Sequence, residues 1–192
     1  MQMDRRSFLK TSAAAVAYTA VGSAGILFPD EAYALGGHQF WQRDRVIEYR
    51  RADNKETGRI KIFDRNQGYL KSGYQQACWA LRDVKDGNSM ARMDVQLFNL
   101  MYAIQEWARM AGKSNPLITI NSGYRTRRHN SKVEGAALNS LHIYGKAADI
   151  VVRGIEPWQV AEMAKHFNGG GVGMYNSFTH IDTGRLREWK GR

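Results

Sequence analysis

The sequence predicts an α+β domain with a central antiparallel or mixed sheet flanked by helices. Three observations predict it. Early in the chain apolar and charged residues alternate, and further on apolar residues recur at helical spacing. The second half then carries short apolar runs between glycine-rich and polar motifs, with one helical stretch among them.

Taken in order, residues 1–34 read as an export signal, 35–44 as a loosely ordered lead-in and 45–192 as a single domain. In the signal, Arg5-Arg6 precedes Phe8-Leu9-Lys10 and a mildly apolar stretch, the pattern of a twin-arginine signal. Gly22, Gly25, Ser12, Ser23 and repeated alanines make that stretch too weakly hydrophobic for a permanent anchor. Ala32-Tyr33-Ala34 offers the small residues a signal peptidase reads, so cleavage is expected before Leu35. No cysteine stands at the expected cleavage point to carry a lipid, so no stable membrane anchor is expected after cleavage.

Residues 45–51 and 59–63 alternate, with Val46, Ile47, Tyr49, Ile60 and Ile62, and predict a hairpin across 53–58. Residues 72–84 and 94–111 predict helices, the second with Asp94 as N-cap and Gly112 as its stop. Residues 117–120, 147–152, 170–175 and 178–181 predict buried strands. Residues 157–167 predict a helix, with Pro157 near its first turn. Cys78, the one cysteine, sits among apolar neighbours and reads as a buried core thiol rather than a nucleophile. The five tryptophans are scattered, which favours packing over a base-stacking platform.

The chain has 28 Lys and Arg against 18 Asp and Glu, a formal charge of +10. Within 1–34 Arg5, Arg6 and Lys10 balance Asp4, Asp30 and Glu31, so the whole excess belongs to the domain. Such a charge points to an anionic partner without choosing one. Export removes nucleic acid from that choice and brings the cell wall, a peptide-bearing acidic polymer, into range.

The chemistry gathers at three polar residues, each at a strand edge among glycines: His142, Asp149 and His180. Two imidazoles and one carboxylate are a common ligand set for a catalytic zinc that keeps its fourth position open. Residue types and spacing alone leave open whether they bind a metal or are hydrogen-bonded structural residues. The glycine cluster 169–173 is not a phosphate loop, because no Lys-Ser/Thr pair follows and the next element is a strand. His129 and His166 read as surface residues, and His38 falls in the lead-in.

The run Ser122-Gly123-Tyr124-Arg125-Thr126, then Asn130, Ser140, His142, Gly145, Ala147 and Asp149, then Gly170-Gly171-Val172-Gly173 with Tyr175, then Phe178-Thr179-His180-Ile181-Asp182-Thr183-Gly184, carries a family likeness. It resembles the YcbK-like murein endopeptidases of the zinc D-alanyl-D-alanine peptidase superfamily, which shares its fold with the hedgehog signalling domain. The resemblance implies one zinc ion held by His142, Asp149 and His180, water-mediated hydrolysis of peptide cross-links, and peptidoglycan stem peptides as the partner. Related carboxypeptidases and dipeptidases place a Glu three residues before the last zinc-binding His, and other relatives a His two before; here those positions are Ser177 and Phe178. Asp182 is therefore expected either as the base or as the group that orients His180, unless it merely caps the turn at Thr183-Gly184. Arg125 matches an arginine that pairs with a substrate carboxylate or stabilises the oxyanion. Tyr124 and Ser140 are candidates for orienting the peptide, and Tyr175 either lines the cleft or packs.

A carboxypeptidase trimming terminal D-alanine and a non-catalytic, zinc-containing wall-binding module remain alternatives on this evidence. Arg125, Arg127, Arg128, Lys132 and Lys146 oppose only Glu134 in their segment, and Arg185, Arg187, Lys190 and Arg192 follow the last expected ligand. A cationic rim of this kind would steer stem-peptide carboxylates toward the cleft.

Overall fold

The computed structural model describes residues 40–191. The expected signal, its cleavage point and His38 lie outside the described residues. β1 (Arg45–Arg51) and β2 (Thr57–Asp64) form the expected hairpin, with Ile47 opposite Ile60, and alternation sends Ile47, Tyr49, Ile60 and Ile62 into the core. β3 (Gly68–Tyr69), too short to show any alternation, adds to β2.

α1 (Lys71–Ala80) stops four residues before the expected end. The carbonyl of Leu81 accepts the Tyr124 N–H at 2.7 Å instead of continuing the helix. Arg82 folds back onto the Trp79 carbonyl and onto Glu56, at 2.9 and 2.7 Å. α2 (Val95–Met110) runs as expected, and Asp94 caps it by accepting the Gln96 N–H at 3.0 Å. Its apolar positions from Leu97 to Ala108 are buried, and so is Gln105. That amide is satisfied: Gln105 donates to the Glu48 and Pro116 carbonyls and accepts the Glu48 N–H, which pins α2 to β1.

The second half supplies β4 (Ile118–Ser122), α3 (Arg127–Asn130), β5 (Ala147–Val152), α4 (Pro157–His166), β6 (Gly171–Met174), β7 (Thr179–Asp182) and β8 (Arg187–Lys190). β3 and β8 have no counterpart among the expected elements: they are short, and β8, Arg-Glu-Trp-Lys, looks like a charged tail until its neighbour is known. Among the described residues eight strands make one sheet in the order β3-β2-β1-β4-β5-β7-β6-β8. β1 with β4 and β6 with β8 are parallel and the other pairs antiparallel, so the sheet is mixed.

α2 and α4 pack against β1, β5, β6 and β7. Ala148, Ile150, Val152 and Ile181 enter that core together with Val160 and Ala164 of α4. Since side chains alternate along a strand, Asp149, His180 and Asp182 face the other side of the sheet. Phe40 and Trp41 are not loose as expected for the lead-in. Phe40 is 6% exposed, its ring 5.5 Å from Tyr102 and 6.4 Å from Phe167, and Trp41 meets Phe167 edge-on. Cys78 is buried, as expected.

Candidate metal centre

Five neighbouring strands carry the site in two rows. Register places Ser122 of β4 opposite Asp149 of β5, Asp149 opposite His180 of β7, His180 opposite Gly173 of β6, and Gly173 opposite Trp189 of β8. One pleat along, Ala147 stands opposite Asp182 and Gly171 opposite Arg187. His142 arrives from outside the sheet on a 3-10 turn, Leu141–Tyr144, which Ser140 caps by accepting the His142 N–H at 3.4 Å. The turn ends at Gly145, whose φ of 65° is left-handed and whose Cβ, if present, would sit 2.4 Å from the Arg92 carbonyl. The chain can then turn directly into β5.

The hydrogen bonds fix which atom each ligand offers. Nδ1 of His142 lies 2.6 Å from the Gly123 carbonyl, which can only accept, so that nitrogen carries the proton and Nε2 presents a lone pair. Nε2 of His180 lies 3.1 Å from Asp182 Oδ2, which anchors that side of the ring and turns Nδ1 toward the cluster, 2.8 Å from Asp149 Oδ1. Asp149 turns Oδ2 to Arg125, 2.5 Å away, and keeps Oδ1 for the cluster. The three inward atoms are 2.8 Å (His180 Nδ1 to Asp149 Oδ1), 3.3 Å (His142 Nε2 to Asp149 Oδ1) and 3.3 Å (His142 Nε2 to His180 Nδ1) apart. Ligands about 2.0–2.1 Å from a tetrahedral ion stand roughly 3.3 Å from one another, so the donor set fits such an ion. All three residues are buried.

Burial depresses the basicity of His142, so its imidazole is neutral and ready to ligate. Burial would raise Asp149, but the two histidines hold it well below the usual carboxylate range. Burial likewise would raise Asp182, yet the bonds from His180, Arg187 and the Gly184 and Gly171 N–H groups keep it far below that range. For His180, burial opposes the charge and the bonds to Asp149 and Asp182 outweigh it, raising its affinity for a proton.

Asp182 is wholly buried and has no oxygen to spare. Oδ1 accepts from Gly171 N at 3.0 Å, Gly184 N at 2.8 Å and Arg187 Nη1 at 3.1 Å; Oδ2 accepts from Arg187 Nη2 at 2.7 Å as well as His180. Arg187 reaches it from β8 by crossing over β6, which is possible because β6 carries glycine in that row. In the other row Trp189 crosses Gly173 and its ring comes to 5.2 Å from His180. A Cβ on Gly173 would stand 2.5 Å from the Trp189 ring.

A family model described as peptidoglycan L,D-endopeptidase MepK matches residues 41–189. The chain belongs to this family. Among its MepK relatives, the probable peptidoglycan L,D-endopeptidase MepK of Haemophilus influenzae is 32% identical over 157 residues, which cover 78% of this chain and 81% of that one. The peptidoglycan L,D-endopeptidase MepK of Escherichia coli K12 is 28% identical over 193 residues, covering 97% and 100%. A twin-arginine translocation signal model matches residues 2–22, and among the described residues no helix is long and apolar enough to cross a membrane. The MepK-family membership and the ligand cluster together make this an exported, metal-dependent peptidase of the cell envelope.

The sites expected from sequence separate into two groups. His142, Asp149, His180, Asp182 and Arg125 meet, and Tyr124 lines the adjoining cleft of about 230 Å³ with Arg125, Asp149 and Phe178. Ser140 caps the His142 turn. Tyr175 stacks on Phe178 at 4.3 Å and accepts from Trp189 Nε1 at 3.3 Å, so it stands behind the ring that lines the cleft. Sequence reasoning missed Arg187, Trp189 and the Gly123 carbonyl. Glycines two apart at 171 and 173 were the available signal, since a strand face without side chains leaves room for something to cross. It also placed His129 at the surface, whereas its Nδ1 lies 2.8 Å from the buried carboxylate of Asp83.

The crossing makes a prediction. In Gly171→Ala the new Cβ would stand 2.2 Å from Arg187 Nη1 and 2.5 Å from Asp182 Oδ2, displacing the clamp behind His180. Losing such outer support of a ligating histidine costs about 10–100-fold in metal affinity. Competition with a chelating dye is expected to show that loss in a variant whose circular dichroism still matches the parent.

Proposed function

We propose that the chain hydrolyses L,D peptide cross-links of peptidoglycan with one zinc ion held by His142 Nε2, Asp149 Oδ1 and His180 Nδ1. The observation that supports this reading is the set of three donor atoms 2.8–3.3 Å apart, each backed by a protein partner on its far side. A zinc ion there would polarise the scissile carbonyl and make water acidic enough to ionise near neutral pH.

The remaining work falls to side chains. His142 is held as a neutral donor by the Gly123 carbonyl, and His180 is oriented by Asp182, so neither ring can turn away. Asp182 acts as the orienting group: fully buried and saturated with donors, it has no lone pair directed at the cleft. Arg125 spends Nε on Ser122 Oγ, 2.7 Å, and Nη2 on Asp149, and retains Nη1 for a substrate oxygen. Phe178 and Tyr124 give the cleft apolar walls that exclude water beside the reacting bond. The cationic rim is smaller than the sequence implied, because Arg125, Arg128 and Arg187 are committed to Asp149, Asp86 and Asp182. Among the described residues Lys132, Lys146, Arg185 and Lys190 form no ion pair, and steering of anionic stem peptides rests on them.

Mass spectrometry of cross-linked muropeptides incubated with the zinc-loaded protein tests the reading. Cross-linked dimers are expected to give monomers, and a chelator to stop the reaction. Release of free D-alanine alone would indicate a carboxypeptidase, and intact dimers in the zinc-loaded sample would refute hydrolysis.

A further inference from the structure

The cleft that Asp149 and Arg125 line continues past a wall built by the turn 83–85 and by α3. On that wall His129 is held as tightly as a ligand, although it touches none of the three. The Asp83 side chain is 2% exposed; its Oδ1 lies 2.8 Å from His129 Nδ1, and its Oδ2 accepts the Thr126 N–H at 2.8 Å. Thr126 in turn accepts the His129 N–H at 3.0 Å. A carboxylate can only accept, so Nδ1 bears the proton and Nε2 is left without a protein partner among the described residues.

The charges around it are unevenly committed. Of the cleft cations, Arg51 pairs with Asp53, Arg82 with Glu56 and Arg125 with Asp149. Lys85, exposed on the same wall, forms no ion pair among the described residues. A buried carboxylate that fixes an imidazole, with a free ammonium on the same wall, makes a receptor for an anion. Lys85 supplies the charge for an incoming carboxylate, and the His129 edge, fixed in place by Asp83, bounds the spot where it sits.

The geometry points to a substrate subsite at His129 and Lys85 that takes a free carboxylate of the stem peptide bound alongside the metal centre. The assignment rests on the peptidoglycan reading of the cleft and adds to it the group by which the peptide is registered. His129 and Lys85 are binding residues in this assignment, remote in sequence from the ligands, and no motif in the chain announces them.

Calorimetry with the zinc-loaded full chain tests it, using a muropeptide monomer with free carboxylates and the same monomer with them amidated. The acid is expected to bind about tenfold more tightly than the amide, the worth of one charge-assisted contact. Lys85→Gln and His129→Gln are each expected to shrink that preference to about threefold or less. Lys85 is exposed, so its variant remains informative if His129→Gln fails to fold. Equal affinity for acid and amide, or a preference that survives both substitutions, would overturn the subsite. Turnover of cross-linked dimers, measured on the same preparation, reports separately on the hydrolytic reading.

Discussion

His180→Ala is expected to lose metal binding at the site and to lower hydrolysis of cross-linked muropeptides by at least ~10³-fold, since two remaining ligands do not hold a catalytic ion. The fold is expected to survive. Thr179 and Ile181, the neighbours on β7, face the α4 side, where Thr179 Oγ1 donates to the Pro157 carbonyl at 2.7 Å. Each carboxylate that contacted the lost ring also keeps another partner: Asp149 retains Arg125, and Asp182 retains Arg187 with two backbone N–H groups. Metal content by plasma emission, thermal melting and muropeptide turnover on one preparation check the result. A metal-loaded, active His180→Ala protein would mean that the ion is held elsewhere.

Asp182→Asn is expected to lower metal affinity by about 10–100-fold and stability by ~2–4 kcal/mol. Whichever way the amide is turned, its NH2 meets donors: Gly171 N, Gly184 N and Arg187 on one side, or His180 Nε2 and Arg187 on the other. A buried donor facing donors is unsatisfied, and Arg187 loses its counter-charge. The same substitution separates the two roles the sequence left open for this residue. A general base changed to Asn would keep its zinc affinity and lose turnover alone, whereas an orienting carboxylate loses both together. Titration with a zinc indicator beside kcat measurements makes the distinction.

How far the site could be read in advance depended on whether the determinant was local. β5 was predicted at its exact bounds because Ala147 to Val152 is a continuous apolar run, and α2 because apolar spacing and the Asp94 cap agree. The ligands were visible through residue type and their placement beside glycines. The partners were not, because sheet order governs them. Arg187 follows Asp182 by five residues, yet reaches it only because β6 lies between β7 and β8 and is bare in that row. Asp83 and His129 are 46 residues apart, and no periodicity links the end of α1 to α3. Arg125 was expected to face substrate, and two of its three guanidinium nitrogens in fact serve Ser122 and Asp149. Hydrogen-bond direction, which decides the nitrogen each histidine offers, is a property of the assembled neighbours alone.

The clamp behind His180 is mounted on the sheet's edge. β8 has four residues and one partner strand, and an edge strand of that length opens locally at far lower free energy than the interior of the sheet. Each opening takes Arg187 from Asp182 and Trp189 from His180, and loosens the imidazole while the rest of the domain stays folded. Fraying of one short strand would therefore loosen an ion held at this site on a clock separate from global unfolding.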